Sequence, residues 1–347
     1  MLLSLFCGAG GLDLGFEETG FKVGLAFDRN RDSVLSYNEN RPGPSAGHVA
    51  DLSEVTARTL DQTYGEQFNP TGIIGGPPCQ SFSQANVRQQ DDDPRHLMPL
   101  VFARLTQELN ERSPVDFFVL ENVVGLTLSR HRDTLRKTKE AFDAAGFEVV
   151  QTILDAQFYG APQSRQRLFL VGFNRGRFDG LEWLPPAPLV TPVRTVRDAI
   201  GGLPEPMYFQ KGADASQFPH HPNHWCMQPR SPKFDRPGAL AEGNVKSRSF
   251  KTLSWERPSI AVAYGHREVH IHPSGKRRLS VYEAMQLQGM PHNYRLHGTM
   301  SSQIRQISEA VPVPLARAVA KSVKDQLVAV EGSSCGVQLH RPDRKFG

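Results

Sequence analysis

Short hydrophobic runs alternate with longer amphipathic segments over residues 1 to 173. The runs are LLSLF at 2–6, VGLAF at 23–27, HVA at 48–50, II at 73–74, FFVL at 117–120 and LFLVGF at 168–173. Runs of this length, separated by segments of helical character, are typical of βαβ units. We therefore predict an α/β fold built on a doubly wound, mostly parallel sheet.

The first five of these runs end in residues suited to binding or chemistry. They lead to a glycine loop at 7–11, to Asp28, to Asp51, to the Pro-Pro-Cys sequence at 77–79, and to Glu121. One such ending would indicate no more than a turn, since Asp and Gly commonly end strands. Ligands of open α/β sheets bind outside the carboxyl ends of the strands. Five endings in succession therefore predict one crevice that gathers these groups.

The second half of the chain differs from the first in composition and in hydrophobic periodicity. The sequence WLPPAPLVTP at 183–192 predicts a linker. Residues 184 to 258 hold ten Lys or Arg against six Asp or Glu, and this excess equals the net charge of +4 of the whole chain. The segment is rich in Pro, Gly, Ser and His, so we predict a second, smaller irregular domain with a basic face. Helical patterning returns from about Ser301.

Composition narrows the class of protein. A chain of 347 residues can form two domains, and its mild net charge does not by itself identify a polyanionic partner. No apolar run reaches the length of a membrane span, and the N-terminus lacks the basic region of a signal peptide. The cysteines are widely spaced without a CxxC pair, which indicates a reducing, cytoplasmic compartment and not a disulfide framework. They are Cys7, Cys79, Cys226 and Cys335.

The glycine loop resembles part of a dinucleotide fingerprint. Gly8 and Gly10 match its first two glycines, but Asp13 stands at the third position, so the pattern for a pyrophosphate is broken. A nucleotide-like cofactor without a diphosphate would still be satisfied. Asp28 lies 20 residues after Gly8, where a carboxylate can bind ribose hydroxyls. The alternative is an ordinary βα turn.

Cys79 follows two glycines and two prolines in GGPPCQSFS, which places it on a loop of restricted course. A thiol in such a loop is a candidate nucleophile, although free cysteines often pack as small hydrophobes. Glu121 ends the neighbouring predicted strand and could act as a proton or hydrogen-bond donor if partial desolvation keeps it protonated. A structural ion pair is the alternative for Glu121.

Two further clusters have weaker signals. Arg165 and Arg167, two apart in QSRQRLF, share a face of a predicted strand and could grip a base oxygen or a phosphate. A solvated basic edge is the alternative. The sequence HHPNHWC at 220–226 contains zinc-ligand types, but its spacing matches no structural zinc pattern. We predict packing or phosphate contact for it, and no metal site.

Together these motifs resemble the cytosine-5 DNA methyltransferases over nearly the whole chain, apart from residues 175 to 258. LSLFCGAGGLDLGF resembles the family's cofactor motif, GGPPCQSFS its catalytic loop and ENV its second catalytic motif. QSRQRLFLVG is similar to the arginine motif, RRLSVYEAMQLQGMP to the motif after the target-recognition domain, and SEAVPVPLA to the last motif, which folds back beside the first. The motifs stand in the family's order.

The resemblance implies S-adenosyl-L-methionine as cofactor and, as substrate, a cytosine that leaves the stack of double-stranded DNA. It implies Cys79 as the nucleophile on carbon 6 and Glu121 on the ring nitrogen and amine. It also implies Arg167 on the carbonyl oxygen, with Arg165 ordering the loop or assisting. The implied cofactor-binding residues are Phe6, Cys7, Gly8, Ala9, Gly10, Gly11, Leu12, Asp28, Arg29, Asp51, Leu52, Pro78, Glu309, Ala310 and Val311.

The family's architecture implies a catalytic domain over 1–180, a target-recognition domain over 184–290, and a C-terminal helical segment over 300–347 that returns to the catalytic domain. The compact build fits a bacterial, nucleoid-associated enzyme that partners a restriction endonuclease of the same site, with no membrane partner. No metal is required, because the sulfonium of the cofactor is already activated.

Two departures from the family pattern affect the implied contacts. Ser308 and Glu309 stand where Gly-Asn is usual, which affects the local cofactor contacts, and Met290 stands where an aromatic is commoner. Three other functions stay open: a tRNA cytosine-5 methyltransferase built from the same motifs, a non-catalytic DNA-binding relative, and a nicotinamide oxidoreductase. The broken glycine pattern and the Pro-Pro-Cys loop argue against the last.

Overall fold

A seven-stranded sheet organises the described part of the chain, which in this computed structural model comprises residues 1–78, 97–246, 250–261 and 270–335. The strand order is β3-β2-β1-β4-β5-β7-β6. The first five strands are parallel, and β7 runs antiparallel to both of its neighbours. The strands are β1 (Leu2–Leu5), β2 (Val23–Asp28), β3 (Gly47–Val49), β4 (Gly72–Gly75), β5 (Phe117–Asn122), β6 (Phe147–Asp155) and β7 (Gln166–Asn174).

Helices cover both faces of this sheet, so the predicted doubly wound α/β fold is confirmed. They are α1 (Gly11–Glu18), α2 (Arg31–Glu39), α3 (Ala57–Tyr64), α4 (Met98–Arg112), α5 (Arg132–Ala144), α6 (Val196–Ile200), α7 (Val281–Leu287), α8 (Met300–Glu309) and α9 (Val313–Cys335). Two short strands, β8 (Met207–Tyr208) and β9 (Trp225–Cys226), form a separate parallel pair. No helix within the described ranges is long and apolar enough to cross a bilayer.

The central strands are buried on both faces, which explains their continuous hydrophobic runs. Successive residues of a strand point to opposite faces. Phe117 and Val119 therefore join the core beneath α1 and α9, whereas Phe118 and Leu120 join the core beneath α4 and α5. Phe118 stacks on Phe142 of α5 with 3.7 Å between ring centroids.

Helix α9 lies directly against α1, and a glycine permits this contact. A Cβ added at Gly15 would lie 2.4 Å from the backbone nitrogen of Arg317 and 2.5 Å from Cβ of Ala316. Such distances are far inside van der Waals contact, so only a residue without a side chain fits. In a dinucleotide fingerprint the third glycine allows the first helix to pack closely. In this chain Gly15 allows α1 to pack closely, and its partner is the helix α9.

Within the described residues of 184–258, regular structure is limited to α6 and the short pair β8 and β9, and this segment packs into a third core with α7 and α8. This core also includes Ala9 of the glycine loop and Ala310 after α8. Most of the described basic residues of 184–258 are exposed. Exposed examples are Arg194, Arg230, Lys233, Arg236 and Lys246.

Candidate active site

The glycine loop between β1 and α1 is shaped by the carboxylate that ends β2. The backbone N–H of Gly8 donates to Oδ2 of Asp28 at 3.0 Å, and that of Asn30 donates to Oδ1 at 2.7 Å. Phe6, Gly8 and Gly10 all have positive φ angles, of 57°, 54° and 79°. A left-handed conformation is unfavourable for phenylalanine. The surrounding structure therefore imposes a tight turn on this loop, at the carboxyl end of β1.

The glycines of this loop have different surroundings. A Cβ added at Gly8 would meet no atom of the described residues within 4 Å, so these residues leave the space in front of Gly8 free for a ligand. At Gly10 the added Cβ would lie 2.7 Å from Nη2 of Arg41, and at Gly11 it would lie 2.6 Å from the carbonyl oxygen of Val311. Among the described residues, therefore, Gly8 has no close neighbour on this side, whereas Gly10 and Gly11 permit close packing of protein.

The predicted cofactor residues of the last motif divide into two groups. Val311 and Ala310 pack against Gly11, where the added Cβ would be 3.1 Å from Cβ of Ala310. Glu309 ends α8 with an exposed side chain. The structure therefore brings the last motif beside the first through Ala310 and Val311.

Three predicted cofactor residues follow β2 and β3. Arg29 is exposed beside Asp28, and Leu52 is buried. Asp51 is exposed, and its Oδ1 accepts hydrogen bonds from the backbone and the hydroxyl of Ser53 at 3.0 and 2.7 Å. These bonds lower the pKa of Asp51 and favour its charged form.

Glu121 occupies a buried position at the end of β5 and pairs with Arg167 of β7. Nε of Arg167 lies 2.7 Å from Oε1 of Glu121, and both side chains are almost buried. Burial raises the pKa of Glu121, while the positive charges of Arg167 and Arg165 oppose the rise. The sequence left an ion pair and a chemical role as alternatives, and the structure combines a buried carboxyl with an arginine partner.

The start of the Pro-Pro-Cys loop lies directly on this carboxyl group. A Cβ added at Gly76 would lie 2.8 Å from Oε2 of Glu121, and Nδ2 of Asn122 donates to the carbonyl of Pro77 at 3.3 Å. Pro78 is half-buried and is the last residue described before the gap. Cys79 lies outside the described residues, so its role as nucleophile stays a prediction.

Arg165 contacts a different part of the molecule from Arg167. It is only 2 % exposed, its Nη2 donates to the carbonyl of Ser308 at 2.6 Å, and its backbone N–H donates to Oδ1 of Asp155 at 3.0 Å. Arg167 therefore pairs with Glu121, whereas Arg165 bonds to the last turn of α8 while its charge still acts on Glu121.

The histidine segment at 220–226 has a packing role in this structure. Nε2 of His224 lies 2.7 Å from the carbonyl of Pro204, which can only accept, so Nδ1 accepts from Ser280 at 2.9 Å. His221 stacks on Tyr282 with 4.2 Å between ring centroids. Both ring nitrogens of His224 are thus engaged by protein, and no metal-binding group of His, Cys, Asp or Glu occurs among the described residues.

Sequence reasoning missed a polar cluster beneath the glycine loop. The hydroxyl of Tyr37 donates to Oδ1 of Asp13 at 2.9 Å, and the guanidinium of Arg41 stacks over the Tyr37 ring at 3.6 Å. Arg41 also pairs with Glu17 at 2.8 Å. Tyr294 reaches the loop from far along the chain and donates to the carbonyl of Ala9. The only sequence signal was Asp13 in the place of a glycine.

Comparisons with known proteins agree with this geometry. Residues 1–325 match the family model for C-5 cytosine-specific DNA methylase. The chain is 30% identical to the Type II methyltransferase M.MthTI of Methanothermobacter thermautotrophicus, over 95% of this chain and 98% of the relative. It is 31% identical to the Type II methyltransferase M.XorII of Xanthomonas oryzae pv. oryzae, over 94% and 84%.

Solved structures share the fold. A crystal structure described as a prophage-encoded DNA modification methyltransferase of E. coli aligns with a TM-score of 0.78 at 24% identity, over 94% of this chain and 99% of that one. The DNMT2 structure of Spodoptera frugiperda aligns with a TM-score of 0.64 at 17% identity, over 94% and 99%.

Proposed function

The chain belongs to the C-5 cytosine-specific DNA methylase family, which makes it a DNA cytosine-5 methyltransferase, and we propose that it transfers the methyl group of S-adenosyl-L-methionine to one specific sequence in duplex DNA. The observation that supports this most is the placement of Glu121. Its buried carboxyl lies between Arg167 and the backbone of Gly76, at the entrance to the loop that carries Cys79.

The cofactor pocket fits an adenosine-type ligand without a diphosphate. No described residue fills the space in front of Gly8, and the carboxylate of Asp28 has lone pairs for ribose hydroxyls beyond the two that accept backbone N–H groups. When bound, S-adenosyl-L-methionine supplies an electrophilic methyl group to carbon 5 of the base. The residues that would hold it are Phe6, Cys7, Gly8, Ala9, Gly10, Gly11, Leu12, Asp28, Arg29, Asp51, Leu52, Pro78, Glu309, Ala310 and Val311.

Three side chains have separate roles in the reaction on a flipped-out cytosine. The Cys79 thiolate adds through Sγ to carbon 6 as the π bond between carbons 5 and 6 opens, and Glu121 binds the ring nitrogen and amine, which stabilises the charge that develops on the ring. Arg167 binds the carbonyl oxygen of the base while it orients Glu121. After methylation a base removes the proton from carbon 5, the double bond between carbons 5 and 6 re-forms, and the Cys79 thiolate leaves.

Arg165 supports this arrangement by its hydrogen bond to Ser308.

We place the catalytic domain at 1–180, the target-recognition domain at 184–290, and the returning C-terminal segment at 300–347. The exposed Lys and Arg of the recognition segment would contact DNA phosphates. The relatives are named Type II methyltransferases, which supports a restriction-modification role and a cognate endonuclease of the same site.

Covalent trapping tests the proposed nucleophile. A duplex that carries 5-fluorocytosine at the target position should form a stable adduct with the protein in the presence of cofactor, because fluorine cannot leave carbon 5 as a proton does. Peptide mapping should locate the adduct at Cys79, and Cys79→Ser should abolish both adduct and methyl transfer.

Cys226→Ala is the matched control for this experiment. Burial raises the pKa of Cys226 to about 12, so its thiol is inert and its loss should leave trapping intact. Full methyl transfer by Cys79→Ser would refute the mechanism. Parallel assays with tritiated cofactor on duplex DNA and on tRNA test the substrate, and transfer to tRNA alone would refute the DNA assignment.

A further inference from the structure

A short segment outside any helix or strand, residues 294–297, lies between two asparagines that belong to distant parts of the chain. Asn40, which follows α2, accepts from the N–H of Arg295 and donates to its carbonyl, both at 2.7 Å. Asn223, in the histidine segment, makes the same pair of bonds with Leu296, both at 2.9 Å. Each carboxamide thus pairs with the backbone as a neighbouring strand would. We call residues 294–297 the strap.

The strap is therefore held from the catalytic side by Asn40 and from the recognition side by Asn223. The catalytic side is reinforced by Ser36, whose hydroxyl accepts from the N–H of His297 at 2.8 Å. Asn223 is itself fixed, because its backbone carbonyl accepts a hydrogen bond from the backbone N–H of Tyr282 in α7 at 2.9 Å. The position of the strap consequently depends on both parts of the chain at once.

The first residue of the strap contacts the glycine loop. Tyr294 is 2 % exposed, and its hydroxyl donates to the carbonyl of Ala9, between the left-handed residues Gly8 and Gly10. Burial raises the pKa of Tyr294 to about 12, so the hydroxyl keeps its proton and remains a donor at neutral pH. Nη1 of Arg41 approaches the same hydroxyl at 3.5 Å.

We propose that Tyr294 is a positioning residue for the cofactor. We further propose that the strap couples the position of the recognition segment to the conformation of the glycine loop. The inference rests on the proposed function of that loop as the S-adenosyl-L-methionine site. It predicts that Tyr294, Asn40 and Asn223 increase the affinity for the cofactor, although none of them lies in the cofactor motif. A peptide carbonyl that is held at Ala9 fixes the adjoining N–H of Gly10, and thereby the course of the loop.

Calorimetric titration of the full-length chain with S-adenosyl-L-methionine tests the proposal, since it yields both Kd and the number of sites. Tyr294→Phe removes only the hydroxyl and should raise Kd about fivefold to tenfold, the change expected for the loss of one buried hydrogen bond. Asn223→Asp and Asn40→Asp keep the acceptor oxygen and lose the donor, and each should raise Kd in the same direction.

Tyr159→Phe is the matched control, because this buried hydroxyl donates to the carbonyl of Pro186 and contacts neither the strap nor the loop. Its Kd should stay within twofold of the wild-type value. A merely structural role for Tyr294 would lower the number of binding-competent sites and the unfolding temperature while Kd stayed constant, and that result would overturn the proposal. An equal rise in Tyr159→Phe would overturn it as well.

The outcomes separate this inference from the function on which it rests. Wild-type protein that neither binds the cofactor nor methylates DNA would refute the proposed function. Wild-type protein that binds the cofactor normally, with an unchanged Kd in Tyr294→Phe, would refute the role of the strap alone.

Discussion

The replacement of Asp13 by asparagine should make the protein more stable at neutral pH. Asp13 is 1 % exposed in the first turn of α1. Its Oδ1 accepts from Tyr37, while Oδ2 makes no hydrogen bond to any described residue. Burial raises the pKa of Asp13 from 3.8 to about 6, and the charge of Arg41 only partly opposes this. The folded state therefore prefers the protonated acid.

The size and sign of the effect follow from linkage. A folded-state pKa above the unfolded value gives stability that is present at low pH and is lost as pH rises through about 6. The whole change corresponds to about 3 kcal/mol, and about 1.4 kcal/mol of it falls between pH 5 and pH 8. Asparagine keeps an acceptor for Tyr37 and carries no charge, so Asp13→Asn should not lose this stability.

Urea unfolding of both proteins at pH 5, 6, 7 and 8 measures the difference. The unfolding free energy of Asp13→Asn minus that of the wild type should increase with pH and level off above pH 7. Asp179→Asn, at an exposed position, controls for the general loss of one negative charge. A difference that stays constant from pH 5 to pH 8, or that decreases, would refute the reasoning.

Three further predictions concern packing, catalysis and DNA. Gly15→Ala should destabilise the protein by about 1–3 kcal/mol in urea unfolding, because α9 must move away from α1; an unchanged midpoint would contradict the packing. Glu121→Ala should lower kcat roughly 10²- to 10⁴-fold with little change in cofactor Kd, and a loss confined to KM would contradict its role. DNA affinity should fall steeply with salt, and Lys233→Ala should reduce the slope of log Kd against log salt concentration; a flat salt response would show that the recognition segment does not contact phosphates.

Local properties of the sequence were sufficient to predict the sheet and its functional edge. A strand that is buried on both faces must be continuously hydrophobic, so the runs at β1, β2, β4 and β5 were visible without any structure. The residues that follow these runs meet at one edge because the strands are parallel. Asp28 bonds to the N–H of Gly8 across that edge, and the start of the Pro-Pro-Cys loop lies against Glu121. The position of Cys79 itself stays a prediction.

Only the tertiary structure decided which polar groups are partners. The sequence could suggest an ion pair for Glu121 without identifying Arg167, and it offered nothing to connect Asn40 with Arg295 or Asn223 with Leu296. These partners are 46, 255 and 73 residues apart, and they meet only because loops and helices cross in space. A hydrophobic period is written into consecutive residues, whereas a hydrogen bond depends on the geometry of two separate segments. The sequence therefore determined the layers and the site edge, and packing determined the contacts that hold the site in place.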